Sequence, residues 1–469
     1  MKRSCPLPKL CASALCCVVV GTSVQARDGD LDTTFNGTGI QILEGPTDEL
    51  DIQIIGGCID SDDRVLVAAF VYDPLGGEAR DFLVARWRED GTPDTDFSFD
   101  GQMQVGFEDG FPQGCTMAPD GTIVVFGNAM DATHPETFID IAIARVDADG
   151  TLDSGFDGDG KVMVDFSLGG TFDGGADALV RADGRIVAVG EAQTSVGSKA
   201  AVTRLTPDGQ RDDSFDLDGR VSFGFDAGNP TEFASASALA EDAQSRLVIA
   251  ASTNTRGSGD FAIVRLLDNG SLDAAFGDGG KAIVPFDLAG NLHDSPTSVL
   301  IQPDGHIVAA GFACSGGNET SCHTRDIAIL RLDDEGLLDV TFGFGGRRAF
   351  ALDLGGTLDD VAFQVLHQHD GRLILTGFLD AGASLGYEFF ALRLLADGRP
   401  DPDFGTGGLV LHGYNAGEAT GDYGIRARLD SHERIVITGL LNMSDGRSRG
   451  MVMRLSNGDS VFGDGFDPT

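Results

Sequence analysis

Eight copies of Asp-x-x-Phe recur along this chain, with phenylalanines at Phe35, Phe97, Phe156, Phe215, Phe276, Phe342, Phe404 and Phe462. Successive copies lie 62, 59, 59, 61, 66, 62 and 58 residues apart. Such a period means one supersecondary unit that cannot bury its apolar faces alone and must stack on its neighbours. Residues present in every unit are expected to hold the stack together. Function should therefore be sought where the units differ.

One unit, residues 161–219, carries four short apolar runs: Lys161–Phe166, Ala176–Arg181, Arg185–Val189 and Ala200–Leu205. Turn residues separate them. Asp183-Gly184 is a hairpin signal, read as a type I′ turn with both central residues at positive φ. It recurs as Asp120-Gly121, Asp304-Gly305 and Asp370-Gly371, while Asp62-Asp63, Gln244-Ser245 and His432-Glu433 replace it elsewhere. Runs such as Ile123–Phe126 are apolar on both faces, as in strands covered on both sides. Ala234–Ala243 has a helical look, but its register against Arg246–Ile249 makes it a strand.

Four-stranded antiparallel units covered on both faces are propeller blades. The third-strand arginines Arg86, Arg145, Arg204, Arg265, Arg331, Arg393 and Arg454 count seven. The fold class expected is all-β: one seven-bladed propeller spanning 27–469. Gly39–Leu43 would pair with the last blade and leave no open edge. An open stack and other all-β arrangements are the alternatives.

Leu152-Asp153-x-x-Phe156-x-x-Asp159-Gly160-Lys161, Asp183-Gly184-Arg185-Ile186-Val187-Ala188-Val189-Gly190 and Thr203-Arg204-Leu205 resemble the delta-60 repeat of exported bacterial proteins. The resemblance covers essentially all of 27–469. It implies an exported, propeller-like repeat protein and brings no catalytic residues with it. The last unit departs: Asp459-Ser460-Val461-Phe462 lacks the leading Leu, and Phe466 stands where Gly is usual.

Residues 1–26 read as a secretory signal, with Lys2, Arg3 and Lys9 before an apolar run from Cys11 to Gly21, and Val24-Gln25-Ala26 at the cleavage position. The run is too short to span a bilayer. Export to the periplasm or the extracellular space is expected, with a retained or lipidated anchor as the alternative. The whole chain carries a net charge of −40, and the signal contains basic residues but no acidic ones. That charge argues against nucleic acid and anionic membranes as partners. A monomer that inserts in no membrane is expected.

Four cysteines remain after the signal. Three pairings are open, and Cys314–Cys322 with Cys58–Cys115 is the favoured set. Cys58 and Cys115 fall on the innermost strands of the first two blades. Matching Val65 to Ile123 leaves them one residue out of register, an offset that turns the sulfurs toward each other.

Arg-x₇-Asp-x₂-Phe pairs Arg86 with Asp94, Arg145 with Asp153, Arg204 with Asp212, Arg265 with Asp273, Arg331 with Asp339 and Arg393 with Asp401. In the seventh unit Arg454 and Asp459 are only five apart. A half-buried ion pair with Phe wedged between blades explains this repetition as scaffold. Asp153, Asp157 and Asp159 offer oxygens in a pattern compatible with calcium, although Asp and Gly are also ordinary turn residues. His367-Gln368-His369-Asp370 offers a metal-cluster reading, but two histidines alone are a weak signal and an exposed turn is favoured. No nucleophile triad, HExxH, Walker or dinucleotide pattern is present.

The loops joining strands two to three, and each blade to the next, vary most: Asn128–Phe138, Phe312–Arg325 and Gly413–Asp422 are examples. Variable loops on a rigid scaffold carry recognition. Tyr72, Tyr387, Tyr414 and Tyr423 map to that face, with His412 beside them, and form a candidate contact patch. The leading reading is an exported acidic binding or scaffold module for a protein, peptide or small ligand. One alternative is a lactonase-like hydrolase with an axial metal, which would need convergent acids, Asn or His on the inner strands. Another is a calcium-stabilised surface or matrix protein. The single tryptophan, Trp87, disfavours a quinone-cofactor dehydrogenase, and with 30 Phe to four Tyr a lectin is disfavoured too.

Overall fold

The computed structural model describes residues 27–45, 50–72, 81–130, 139–226, 228–254, 259–288, 293–318, 321–352, 354–355, 359–382, 386–414 and 419–457. The expected signal, 1–26, and the eighth motif with Asp459, Phe462 and Phe466 lie outside these residues. The described chain is all β, and among the described residues no helix is long and apolar enough to cross a membrane.

A short strand, β1 (Ile40–Leu43), precedes a series of four-stranded meanders. Unit one is β2 (Asp51–Ile59), β3 (Val65–Tyr72), β4 (Asp81–Trp87) and β5 (Gln102–Gln104). Unit two is β6 (Phe111–Met117), β7 (Ile123–Met130), β8 (Ile139–Val146) and β9 (Lys161–Val164). Unit three is β10 (Gly169–Val180), β11 (Ile186–Thr194), β12 (Ser198–Leu205) and β13 (Arg220–Phe223). Unit four is β14 (Ala234–Glu241), β15 (Leu247–Thr253), β16 (Asp260–Leu266) and β17 (Lys281–Val284). Unit five is β18 (Asp294–Ile301), β19 (Ile307–Asn318), β20 (Ser321–Leu332) and β21 (Arg347–Phe350). Unit six is β22 (Asp360–His367), β23 (Leu373–Asp380), β24 (Tyr387–Leu394) and β25 (Leu409–His412). The last unit has β26 (Ala419–Leu429), β27 (Ile435–Met443) and β28 (Ser448–Leu455), and β1 is its fourth strand.

Pairing within each unit is antiparallel, and the strands group into six sheets. One sheet has eight strands, because a single parallel bridge between Phe172 and Ile139 links units two and three. β1 runs antiparallel to β28, with Ile40 opposite Met453 and Leu43 opposite Gly450. Apolar side chains on both faces of each sheet meet those of the next, as the doubly apolar runs require. One core joins β1–β5 residues such as Ile52, Val67 and Leu83 to Val436 and Val452 of the last unit.

The repeated arginine, aspartate and phenylalanine form one device. Each motif phenylalanine from Phe35 to Phe404 has no exposed surface. A guanidinium lies over each ring, 4.6 Å from its centre for Arg86 over Phe97 and 5.0 Å for Arg145 over Phe156. Nε donates to the aspartate at 2.8 Å in Arg86–Asp94, Arg204–Asp212, Arg265–Asp273 and Arg393–Asp401, 2.7 Å in Arg331–Asp339 and 2.6 Å in Arg145–Asp153. Nη1 then reaches a turn of the following unit: Arg86 to Ala148 O (2.7 Å), Arg145 to Pro207 O, Arg204 to Asp268 O (2.5 Å), Arg265 to Asp334 O (2.5 Å) and Arg331 to Ala396 O (2.7 Å).

In the last unit Arg454 takes its partners from the other end of the described chain. Nε donates to Asp32 at 2.8 Å, the guanidinium lies 4.8 Å over Phe35, and Nη1 donates to Glu89 O of unit one at 2.6 Å. The unit whose spacing departs from Arg-x₇-Asp thus finds its aspartate in Asp32, while Asp459 lies outside the described residues. The first motif completes the last unit. The same segment serves Arg393, whose Nη2 donates to Asp28 at 2.7 Å.

The hairpin turns differ from the expected type I′. Ala118 and Thr122 flank a three-residue loop in which Ala118 N donates to Thr122 O and Gly121 N to Ala118 O. Gly121 has φ +88°, whereas Asp120 is not among the residues at positive φ. This is a type I turn closed by a left-handed residue. Asp120 earns its place by accepting from Thr122 N–H and Oγ1, not by tolerating positive φ. Where Gly is missing, Asp63, Ser245 and Glu433 occupy the left-handed position themselves.

Two disulfides are formed. Cys58 on β2 and Cys115 on β6 join adjacent inner strands, and Cys314 and Cys322 join β19 to β20. The segment Phe312–Arg325, expected as a loop, largely extends that hairpin.

A buried acid at or near the start of several inner strands caps the loop that leads into it. Asp173 accepts from Phe166 N–H, Asp294 from Phe286, Asp360 from Leu352 and Asp422 from Tyr414. Glu232 does the same for Phe225 and Asp226. The sequence signal, an acid seven or eight residues after a large apolar residue, went unread.

Two outcomes are expected. Asp32→Asn should cost about 3–5 kcal/mol, as breaking a buried pair does, and should match Asp94→Asn in unit one. Denaturant unfolding checks this; a near-neutral Asp32→Asn beside a damaging Asp94→Asn would contradict equal locks. Burial pushes the Asp173 and Asp422 carboxyls up to about 6, above the unfolded value of about 3.9. The folded state then binds more protons than the unfolded one, so these groups add stability as pH falls from about 7 to about 4 and lose it as pH rises through 6. Asp422→Asn should shrink the stability gain between pH 8 and pH 5 by roughly 1 kcal/mol, and an unchanged gain would refute the assignment.

Candidate functional site

The tyrosines expected as one patch are divided by their contacts. Tyr387, the first residue of β24, and Tyr423, within β26, lie 5.1 Å apart centre to centre. Both pack on Phe378 at the end of β23, at 5.2 and 5.0 Å, and Phe363 meets Phe378 at 5.6 Å. Tyr72 sits instead with Phe70 and accepts a hydrogen bond from Gln53. Phe70 also meets Phe111 of unit two. Tyr414 packs into the core between units six and seven. His412 closes β25 with Nε2 3.4 Å from Gly29 O, and burial holds its pKa below the usual value. The expected placement of Tyr423 in a loop is corrected: it lies on an inner strand.

The Tyr387–Tyr423 pair continues as a stripe across three units. The Arg325 guanidinium lies 5.1 Å from the Phe312 ring centre and 6.0 Å from that of Phe378, and Nε donates to Asp359 at 2.5 Å. His293 adjoins Phe312 at 6.4 Å. β23 ends and β24 begins here, so the stripe lies at the end of the units where strand-two-to-three loops open. Burial, then Tyr387 and the nearby carboxylates Asp359, Asp380 and Asp422, push the Tyr423 hydroxyl up to about 12. It therefore remains a hydrogen-bond donor at neutral pH. Local sequence reading found the tyrosines but missed Phe363, Phe378 and Arg325, which separate units contribute.

The three calcium candidates serve local turns. Asp153 binds Arg145 and accepts from Gly155 N–H, Asp157 accepts from Gln210, and Asp159 accepts from Lys161 N–H. Among the described residues, three potential ligands converge in two other places. Asp63, Asp430 and His432 meet where Arg434 already supplies a cation, 2.5 Å from Asp430. Asp140, Asp165 and Asp173 meet between units two and three. One unit on, Lys199 Nζ bonds Glu232 at 2.8 Å in the corresponding seat. His369 pairs with Glu433 at 2.6 Å, and burial lowers the pKa of His367.

Where β10, β22 and β26 meet, two arginines stand beside one aspartate. Arg426 and Arg428 on β26, Asp177 on β10 and Gln364 on β22 approach one another there. Arg426 Nη2 donates to Ala176 O at 3.2 Å and Arg428 Nη1 to Gln364 Oε1 at 3.2 Å.

A family model described as a domain of unknown function (DUF5122) beta-propeller matches residues 118–156, 181–215 and 245–276. No curated protein matches the chain. Among solved structures, Sqt1 from Chaetomium thermophilum bound to the N-terminus of the ribosomal protein L10 is 12% identical, covering 89% of this chain and 98% of its own, with a TM-score of 0.45. The beta-propeller domain of the Trilobed protease from Pyrococcus furiosus, of open velcro topology, is 10% identical, covering 90% and 100%, with a TM-score of 0.40. The N-terminal domain of Nup159 is 10% identical, covering 89% and 98%, with a TM-score of 0.40. At these scores the likenesses carry no argument about partner or activity. With its four-stranded antiparallel units and the family match, the chain is a propeller-type repeat protein.

Proposed function

We propose that this chain is a closed seven-bladed propeller, exported from the cell, that binds a protein or peptide through the face where its strand-two-to-three loops open. Support for closure comes from the β1–β28 pairing and the Arg454–Asp32 bond, which tie both ends of the described chain into one unit. Support for binding comes from a single observation: the stripe of His293, Phe312, Arg325, Phe378, Tyr387 and Tyr423 across units five to seven. Aromatic and arginine side chains offer large contact area at low entropic cost and dominate the energetics of protein interfaces. The partner segment inserts an apolar or aromatic side chain against Tyr387 and Tyr423, and the Tyr423 hydroxyl donates to its backbone.

An axial metal hydrolase is the less supported reading, since Arg426 and Arg428 would repel a divalent cation at the inner strands. Selection of displayed peptides on the purified protein tests the binding reading. Tyr387→Ala and Tyr423→Ala should each weaken the selected peptides by roughly thirtyfold, about 2 kcal/mol, in variants shown by circular dichroism to be folded. Affinities unchanged by both substitutions would remove the stripe from consideration.

A further inference from the structure

Arg426 and Arg428 are the most unusual groups in a chain of net charge −40. They stand two residues apart beyond the bulge in β26, so their side chains leave the same face of the strand. Their arms bridge to other units: Arg426 bonds Ala176 O of unit three and Arg428 bonds Gln364 of unit six. Contacts from the last unit to units three and six place both guanidiniums in the space that the inner strands surround. Gln364 Nε2 donates to Ser298 Oγ at 2.9 Å, which turns its Oε1 toward Arg428.

Throughout this protein an arginine is normally matched by a carboxylate, as in the seven repeated locks. Among the described residues neither Arg426 nor Arg428 has a carboxylate oxygen within 4.0 Å. The acid nearest by sequence and topology, Asp177, is held elsewhere: Oδ1 accepts from Ala178 N–H at 3.0 Å and Oδ2 from Leu239 N–H at 3.2 Å. Two guanidiniums thus face one carboxylate already occupied by backbone amides. Burial, and then the like charge of Arg426, lower the pKa of Arg428. An anion placed between them would relieve both costs, because charge-assisted bonds from two planar donors are strong in a low-dielectric space. All four side chains remain partly accessible.

We propose that the space between β10, β22 and β26 is a binding site for a small oxyanion, a carboxylate or phosphate group, held by Arg426 and Arg428. Gln364 fixes the position of Arg428. The Asp177 carboxylate repels the anion from the β10 side and so seats it against β26. The site is distinct from the aromatic stripe, and its ligand is opposite in kind to the axial cation of a metallohydrolase.

Calorimetric titration of the whole protein with inorganic phosphate, and separately with acetate, tests this at ionic strength held constant with sodium chloride. One anion per chain is expected to bind. Phosphate alone would assign a phosphate-bearing ligand, and both anions a carboxylate-compatible site. Arg426→Gln and Arg428→Gln, each checked for folding by circular dichroism, should weaken binding at least about tenfold. Arg428→Lys should restore part of it. No heat with either anion, or equal binding by the double Gln variant, would overturn the proposal. Should the variants fail to fold, the wild-type titrations decide alone. Tyr387→Ala and Tyr423→Ala should bind the anion as wild type does, which separates this site from the peptide-binding reading.

Discussion

A guanidinium stacked on a buried phenylalanine, bonded to an aspartate of its own unit and to a turn of the next, is the interaction on which this architecture depends. Apolar contact alone would let sheets that pack face to face slide, and directional bonds across each seam prevent that, among them Ser98 N–H to Asp149 O at 2.8 Å. The arginine supplies direction. Its Nε fixes it to the motif aspartate, the ring beneath holds its plane, and Nη1 reaches across the seam. Because the outer part of every unit is cut to the same pattern, an unpaired seam at either end would leave a buried charge without its partner. The first motif prevents that by giving Asp32 and Phe35 to Arg454.

Acids dominate the composition, and the structure divides them by task. Some lie in the locks and hydrogen-bonded turns, where Asp32, Asp212 and Asp339 keep pKa values below the usual range despite burial, through hydroxyl, amide and arginine partners. Others, including Asp173 and Asp422, cap the loops that feed the inner strands, and there burial wins over one or two amide bonds. The first set favours neutral pH and the second favours mild acid. The balance between them, more than the net charge, shapes how stability varies with pH. The meeting point of β10, β22 and β26 differs, with Arg426 and Arg428 beside the single carboxylate of Asp177.

Much of this was legible in the sequence because the fold repeats it. The period, the four runs per unit and the Arg-x₇-Asp-x₂-Phe spacing each recur often enough to be read without a partner sequence. The Cys58–Cys115 bond followed from a one-residue offset between aligned inner strands. What escaped has physical reasons. Arg454 breaks the Arg-x₇-Asp spacing, because its bond forms with a residue 422 positions away. Asp-Gly was read through the φ preference of glycine, while the aspartate works by accepting hydrogen bonds in a type I turn. The stripe joins side chains from three units, and neither Phe378 nor Arg325 departs visibly from the pattern of its own strand. Nothing in the sequence around Arg426 and Arg428 tells that units three and six come against them.

The seat shared by the two ends of the described chain is the point at which the account is most exposed. Amide hydrogen exchange, followed residue by residue in the native protein, reads it directly. If the last unit is locked like the others, the amides of Ile40–Leu43 and Gly450–Met453 will exchange as slowly as those of Ile141–Ala144 and Lys161–Val164 in unit two. Rapid exchange across β1 and the facing edge of β28, with the other units still protected, would show that the first segment does not hold the last sheet.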